Sequence, residues 1–581
     1  MSNLESEQNI VGLNNDDADS VSIEQPEYKT ELWNLRARHN TSGLSDRKLR
    51  IAVTFVAVTG FSLFGYDQGL MSGLLGGEQF QDEFPGTKGN TQHASVIQGA
   101  LTSCYELGCF FGALFALIRG EHIGRRPLVL VGSLIIVLGT VISVSSFREH
   151  WGTGQFVIGR VITGIGNGLN TATIPVWQSE MSRPEVRGRL VTLEGAVVAV
   201  GTLVAYWVDF GLSYTHTSVQ WRLPVALQIV FALIVFFGML GLPDSPRWLI
   251  ARGRISEARH VLGKLKGLPA DDDEIVAEAT VIADAVNRFD NAQLSFKEIV
   301  HDKKHQYVPR MIIGASTQFF QQFTGCNAAI YYATVLFENS MHLERRLSLI
   351  LGGVFAVVYA LFTIPSFFLV DKLGRRPLFL IGAAGQGVAF IIAMGCLIHN
   401  TSENAKGAVV GLFLFIAFFA FTILPLPWVY PPEVNPLRTR TVGTGFSTCT
   451  NWLCNFAVVM FTPIFIERSS WGCYLFFAII NFAWLPVIYM FYPETAGRSL
   501  EEVDIIFARA KEQGVLPFRV AQMMEKMNFK EVEQEAVRLG LYEDEDFKAG
   551  AELKENEGSL MKNDDETSSN NSRLNNSNPV V

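Results

Sequence analysis

Long apolar runs separated by short, often basic, connections set the rhythm of the chain. About twelve such runs stand near 51–74, 95–118, 127–146, 153–176, 190–212 and 222–242, then 310–336, 347–370, 377–398, 406–430, 441–464 and 472–492. Crossing the hydrocarbon core of a bilayer takes a helix of roughly 20 residues, and each run is about that long. The pattern predicts an all-α polytopic membrane protein with twelve transmembrane helices.

One connection breaks the rhythm. Between residues 243 and 309, "SEARHVLGKL" and "DDDEIVAEATVIADAVNRF" carry the spacing of short amphipathic helices, so this stretch reads as a helical linker. It divides a six-helix half, 49–242, from a second, 310–492. The tail 1–48 is polar and lacks the basic start and apolar core of a cleavable signal, so the first span is expected to direct insertion. The tail 493–581 opens with the helical pattern "SLEEVDIIFARAKEQG" and ends in polar sequence expected to be disordered. The halves also repeat. "GRRPL" occurs at 124–128 and 374–378, an offset of 374 minus 124, or 250, and Pro243 and Pro493 keep that offset. Glu180 with Arg187 matches Glu433 with Arg440 at 253. Two homologous, pseudo-symmetric six-helix halves are the architecture of carriers that rock one half against the other about a midplane site.

Composition agrees and narrows the choice. Apolar residues make up 49% of the 581 positions, charged residues 18%, and mean hydropathy is +0.23. The net charge of -9 lies largely in the tails and names no partner, nucleic acid included. Lys and Arg gather before span 1, between spans 2 and 3, between 4 and 5, in 243–309, and in the equivalent loops of the second half. By the positive-inside rule these loops and both termini are cytoplasmic. The seven cysteines have no metal-ligand spacing. No phosphate loop, zinc cluster or nucleophile elbow appears, so no enzyme activity, metal or cofactor is expected, and transport must draw on an ion gradient.

The candidate chemistry begins with Asp67, one carboxylate inside the first apolar run. An acid at membrane depth costs several kcal/mol, which makes it a functional-site candidate, and Gly60, Gly65, Gly69 and Gly73 around it suit close helix packing. Glu106 is a second, weaker proton-site candidate. Asp209 is expected near the outer surface, and Glu194 begins span 5. At the cytoplasmic ends, Arg125, Arg126, Arg187, Arg375, Arg376 and Arg440 are placed to pair with Glu121, Glu180, Asp371 and Glu433. Ion links made in one state only would form an inner gate and set the population ratio of the two states.

Over roughly residues 45–505 the chain resembles the sugar porters of the major facilitator superfamily. The motifs are "GYDQG", "GRR" twice, "GRVITGIGNG", "PVWQSEMSRPEVRG", "PDSPRWL", "QQFTGCNAAIYY" and "PETAGRSLEE". Within that family "GFSLFGYDQGLMSG", "TSCYELGCF" and "FSTCTNWLCNFAVVMFTPIF" most resemble the fungal glycerol–proton symporters. The resemblance implies that Asp67 accepts the proton, with Arg160 as its partner. It implies that Gln321, Gln322 and Asn327 bind substrate hydroxyls, that Tyr331 also binds substrate and with Tyr332 stands beyond them at the outer gate, and that Trp428 and Asn451, with Trp452, line the pocket. Amides both donate and accept, which suits polyols. Three positions depart from the hexose carriers: Gly195 and Thr202 replace span-5 glutamines, and Leu424 replaces a span-10 glycine. Losing two amides while narrowing the cavity favours a small linear polyol.

The expectation is a monomeric plasma-membrane symporter, embedded in the lipid bilayer, that imports a small polyol, glycerol above others, with protons by alternating access. Three alternatives stand beside it. A hexose or other sugar–proton symporter would tolerate the glutamine losses, and an uncoupled facilitator would have no need of Asp67. A transport-inactive nutrient sensor would show a broken pocket or a tail of repeated motifs.

Overall fold

A computed structural model describes residues 43–89, 91–182, 187–290, 296–301, 305–399 and 402–541. Twelve spanning helices run in chain order. In the first half they are α1 (Asp46–Leu74), α2 (Gln92–Ile123), α3 (Arg125–Val144), α4 (Gly152–Glu180), α5 (Arg187–Leu212) and α6 (Val219–Leu240). In the second half α7 is broken into α7a (Tyr307–Phe323) and α7b (Cys326–Val335), followed by α8 (Arg345–Phe362) and α9 (Arg375–Ile398). Then α10 runs from Ser402–Phe418 through a π turn, Phe419–Ile423, to Leu426–Val434, and α11 (Arg440–Arg468) and α12 (Ser470–Phe491) complete the set.

Ten of these, among the described residues, are by length and apolarity enough to cross a membrane; α4 and the broken α7 are the other two. Their lower apolarity has a physical reason. Helix α4 buries Gly159, Gly164, Asn167, Gly168 and Asn170 against its neighbours, so little of it needs to be lipophilic. A Cβ on Gly164 would lie 2.1 Å from the Tyr105 carbonyl oxygen, and one on Gly65 would lie 1.9 Å from that of Val198. Only glycine permits these approaches, the small-residue packing that joins helices where lipid supplies no hydrophobic drive. In α7 the break falls at Gly325, whose φ of +92° a side chain rarely adopts.

The repeat seen in sequence reappears in space. Asp244 Oδ1 accepts from the backbone N–H groups of Arg125 and Arg126, and the Glu494 carboxylate accepts from those of Arg375 and Arg376. The offset is again 494 minus 244, or 250. A carboxylate at a helix N-terminus satisfies donors that have no intrahelical partner.

The connection after α6 is helical, as its pattern predicts, with helices Pro246–Ala251, Ile255–Lys266, Asp273–Asp290 and Phe296–His301. Beyond α12 the chain forms Leu500–Gln513, Pro517–Met523 and Phe529–Arg538, which share a small apolar core of their own. The first of these helices is tied to α7a, where buried Arg310 pairs with Asp504. The remaining tail, from 542, lies outside the described residues, as does the tail before 43.

Candidate functional site

A cavity of about 640 Å³ separates the two halves. Its mouth lies at the end that carries the GRR loops, among Glu121, Arg125, Glu433, Arg440 and exposed Thr441. Its floor holds Gln68, Gln321, Gln322, Asn327 and Ile330. Beyond the floor the halves close on each other. The Ser72 hydroxyl of α1 lies 3.1 Å from that of Thr334 in α7b, Tyr206 of α5 donates to the Ile330 carbonyl at 2.5 Å, and Arg345 of α8 donates to the Gly73 carbonyl at 2.9 Å.

The second half supplies an amide wall. Asn451 donates to Gln318 at 2.6 Å and to Gln321 at 3.3 Å, while Asn327 donates to Gln322 at 2.7 Å and to Asn455 at 2.8 Å. Gln321 in turn donates to the carbonyls of Ile423 and Leu424, and Gln318 to that of Pro427. The sequence explains why two of those carbonyls, of Ile423 and Pro427, are free to accept. Positions 427 and 431, four residues after Ile423 and Pro427, are prolines, which have no N–H to give back to the helix. The prolines of α10 thus create the acceptors that fix the amides of α7a. Trp428 is half-buried on the same wall, and Trp452 packs edge-on against Phe64, with ring centroids 5.4 Å apart.

The first half holds the buried charges. Asp67 and Arg160 are 1% and 2% exposed, and both guanidinium Nη atoms reach the carboxylate. Gln228 of α6 donates to the same carboxylate at 3.0 Å, and the Arg160 guanidinium lies 4.5 Å over the Tyr105 ring. Neither Asp67 nor Arg160 lines the cavity, but Gln68, the next residue along α1, does. A buried charge pair gains from each further hydrogen bond made to it, so Gln228 matters here. Sequence reading passed over Gln228; its only signal was one amide in the apolar run of span 6.

Most of the expected pocket residues come together: Gln321, Gln322, Asn327, Trp428, Asn451, Trp452, Gly195 and Leu424 all line the cavity. Two do not. The Thr202 hydroxyl donates to the Gly65 and Val198 carbonyls, within the close α1–α5 contact. Tyr331 is fully buried and donates to Glu106 of α2, because the break at Gly325 and a kink at Tyr332 turn its ring away from the floor. Tyr332 is likewise fully buried and donates to the Val459 carbonyl at 2.9 Å. Asp209 belongs to the far end of α5 as expected but is buried, with neither carboxylate oxygen hydrogen-bonded among the described residues.

The gate charges differ from expectation in one respect. Arg125 pairs with Glu180 at 3.0 Å, and Arg375 with Glu433 at 2.7 Å and Asp371 at 3.3 Å, each link within one half. Arg126 donates to the Met239 and Leu240 carbonyls, capping α6, and Arg376 donates to Tyr489 and lies over the Tyr489 and Phe518 rings. Glu121 is exposed, and its backbone carbonyl accepts from Trp248 and Arg252. These pairs therefore stiffen each half while the mouth between the halves stays apart. The Arg187 side chain lies outside the described residues.

The family profile described as "Sugar (and other) transporter" matches residues 52–507. The chain belongs to the sugar transporter family. It is 59% identical over 506 residues to the sugar transporter STL1 of Saccharomyces cerevisiae, covering 87% of this chain and 89% of that one. It is 57% identical over 508 residues to the major facilitator superfamily transporter mfsA of Aspergillus fumigatus, covering 86% and 94%. Among solved structures, the proton:xylose symporter XylE from E. coli, bound to 6-bromo-6-deoxy-D-glucose, superposes with a TM-score of 0.66 at 23% identity, over 78% of this chain and 98% of that one. This likeness gives the fold, twelve helices in two halves. As a member of the sugar transporter family the chain is a transporter and not an enzyme.

Proposed function

We propose that this transporter imports glycerol together with protons across the plasma membrane by alternating access, as a monomer with both termini in the cytoplasm. On this reading the cytoplasmic helical linker, 243–309, joins halves 49–242 and 310–492, with tails 1–48 and 493–581. The observation that carries the reading is a fully buried, bidentate Asp67–Arg160 pair whose helix neighbour Gln68 lines an amide-walled cavity. Protonating Asp67 would remove the charge that holds Arg160 and Gln228, releasing three donors at once. That changes the packing of α1, α4 and α6 beside the substrate floor, so proton binding biases the rocking equilibrium.

The polyol part of the reading rests on the amide wall, on Gly195 and Leu424 where hexose carriers have a glutamine and a glycine, and on the 59% identity to STL1. Amides match a substrate whose hydroxyls also donate and accept. Glu106, joined to Tyr331 of the other half, is a weaker second candidate for the proton. The test is external alkalinisation on adding glycerol to weakly buffered, energy-starved cells expressing the chain. A glycerol-dependent pH rise that Asp67→Asn abolishes is the expected result. A rise with glucose alone would move the substrate to a hexose, and labelled uptake without any pH change would refute coupling.

A further inference from the structure

The first-half wall of the cavity carries a carboxylate that the pair above does not use. Glu194 sits on α5 beside Gly195 and one turn before Val198, and all three line the cavity. It is 6% exposed, and no hydrogen bond or ion pair is made to it among the described residues. Space lies next to it: a Cβ on Gly195 would meet only Leu424, at 3.8 Å. Burial without a partner disfavours the charged form of a carboxyl group, and donors brought by a ligand favour it again, because charge-assisted hydrogen bonds are about twice as strong as neutral ones. The opposite wall, with Gln321, Gln322, Asn327 and Asn451, can donate and accept, whereas Glu194 when ionised only accepts.

We propose that Glu194 is the specificity-determining residue for neutral polyols with adjacent hydroxyls, its two oxygens accepting from the two O–H groups of a vicinal diol. This deepens, and rests on, the reading of the cavity as a polyol site. The third hydroxyl of glycerol then faces the amide wall, so the substrate spans the two halves and is held from both sides. The same charge disfavours substrates that bear a carboxylate, because like charges brought together away from water repel. Where hexose carriers have a span-5 glutamine at position 195, this chain thus offers an acceptor-only group one position earlier on the helix.

The test compares wild type, Glu194→Gln and Glu194→Asp, purified as full chains, by intrinsic tryptophan fluorescence and by labelled uptake into proteoliposomes. The panel is glycerol, 1,2-propanediol, 1,3-propanediol, xylitol, glucose and glycerate. Glu194→Gln is expected to raise KM for glycerol about tenfold, the size of one lost hydrogen bond to a charged group, with kcat within about twofold. It should also erase the preference for 1,2- over 1,3-propanediol and admit glycerate as a competitor. Glu194→Asp, which keeps the charge, should retain the diol preference and the exclusion of glycerate, and it carries the test if the glutamine variant does not fold. Equal weakening toward both propanediols, or unchanged KM and selectivity, overturns the role of Glu194 while leaving glycerol transport standing. Wild type that binds xylitol or glucose but takes up no glycerol overturns the glycerol reading alone, and the diol preference is then judged on the ligand bound. Wild type that binds no member of the panel overturns both.

Discussion

The two halves share one architecture and divide the chemistry. The first joins its buried charge pair off the cavity, with Asp67, Arg160 and Gln228 among α1, α4 and α6, and leaves the single carboxylate of Glu194 on the cavity wall. The second puts neutral amides on the cavity wall, anchored to carbonyls that the prolines of α10 leave free. The difference follows from cost. A charge away from water needs a partner, from the protein as for Asp67 or from what enters the cavity as for Glu194, whereas an amide can face a cavity and exchange partners with a passing hydroxyl. Coupling then has to pass where the halves touch. Beside the Ser72, Tyr206 and Arg345 contacts, two bonds join the halves near the charge pair: Tyr331 on Glu106, and Gln68, which donates to Asn327 at 3.5 Å.

The harshest way to break the comparison is to remove a charge from the first half. Arg160→Gln leaves the Asp67 carboxylate buried without its cation, a loss of about 3–5 kcal/mol when one partner of a buried pair is removed. The purified variant should melt well below wild type. Asp67→Asn/Arg160→Gln, which removes both charges, should recover much of that stability while remaining uncoupled. If the single variant melts like wild type, the pair is not what holds α1 against α4.

Next in size is the packing beneath the pair. Gly65→Ala would place a methyl 1.9 Å from a backbone oxygen of α5, so the helices must separate, at about 1–3 kcal/mol for overpacking. Gly195→Ala on the cavity side meets nothing closer than 3.8 Å and should leave the melting temperature nearly unchanged. Equal effects at the two glycines would mean that the α1–α5 contact is not tight.

A third, smaller effect belongs to the second half. Asn451→Ala removes the donor shared by Gln318 and Gln321, and KM for glycerol should rise about tenfold, as for one or two net hydrogen bonds. The number of protons moved per glycerol should not change. A shift in that stoichiometry would show that the halves do not divide the work as described.

How much of this was legible in the sequence depends on whether identity or orientation decides the role. Asp67 and Arg160 could be found because a charge in an apolar run has few tolerable places. The repeat was readable because the two GRRPL stretches, at 124 and 374, and Pro243 and Pro493 keep the same offset. Tyr331 and Thr202 were misplaced because their residue types fit a pocket equally well, and only the break at Gly325 and the α1–α5 approach decide where each side chain goes. Gln228 and Glu194 were passed over as partners for the same reason: the rotation of α6 and α5, not the sequence motif, brings one to Asp67 and the other to the cavity.

The smallest effect lies furthest from the bilayer and tests whether the comparison stops at the halves. In the helices after α12, Glu535 is hydrogen-bonded by Arg538 and Arg509, which together hold its carboxyl down to about 2. The folded group is more acidic than an unfolded glutamate, near 4.3 on the usual scale, so its contribution is complete above that value and disappears as pH falls through about 2. Arg538 is half exposed, so the gain is small and weakens with salt. Hydrogen exchange of Leu500–Arg538 in the full chain, corrected for intrinsic rates, should be faster in Glu535→Gln than in wild type at pH 7. That gap should shrink as pH is lowered from about 4 toward 2. KM for glycerol should be the same in both proteins, since the substrate wall is fixed by α7 and α10 and not by these helices. An exchange gap that persists at low pH would refute the ion network as its source, and a changed KM would bring the terminal helices into the transport cycle.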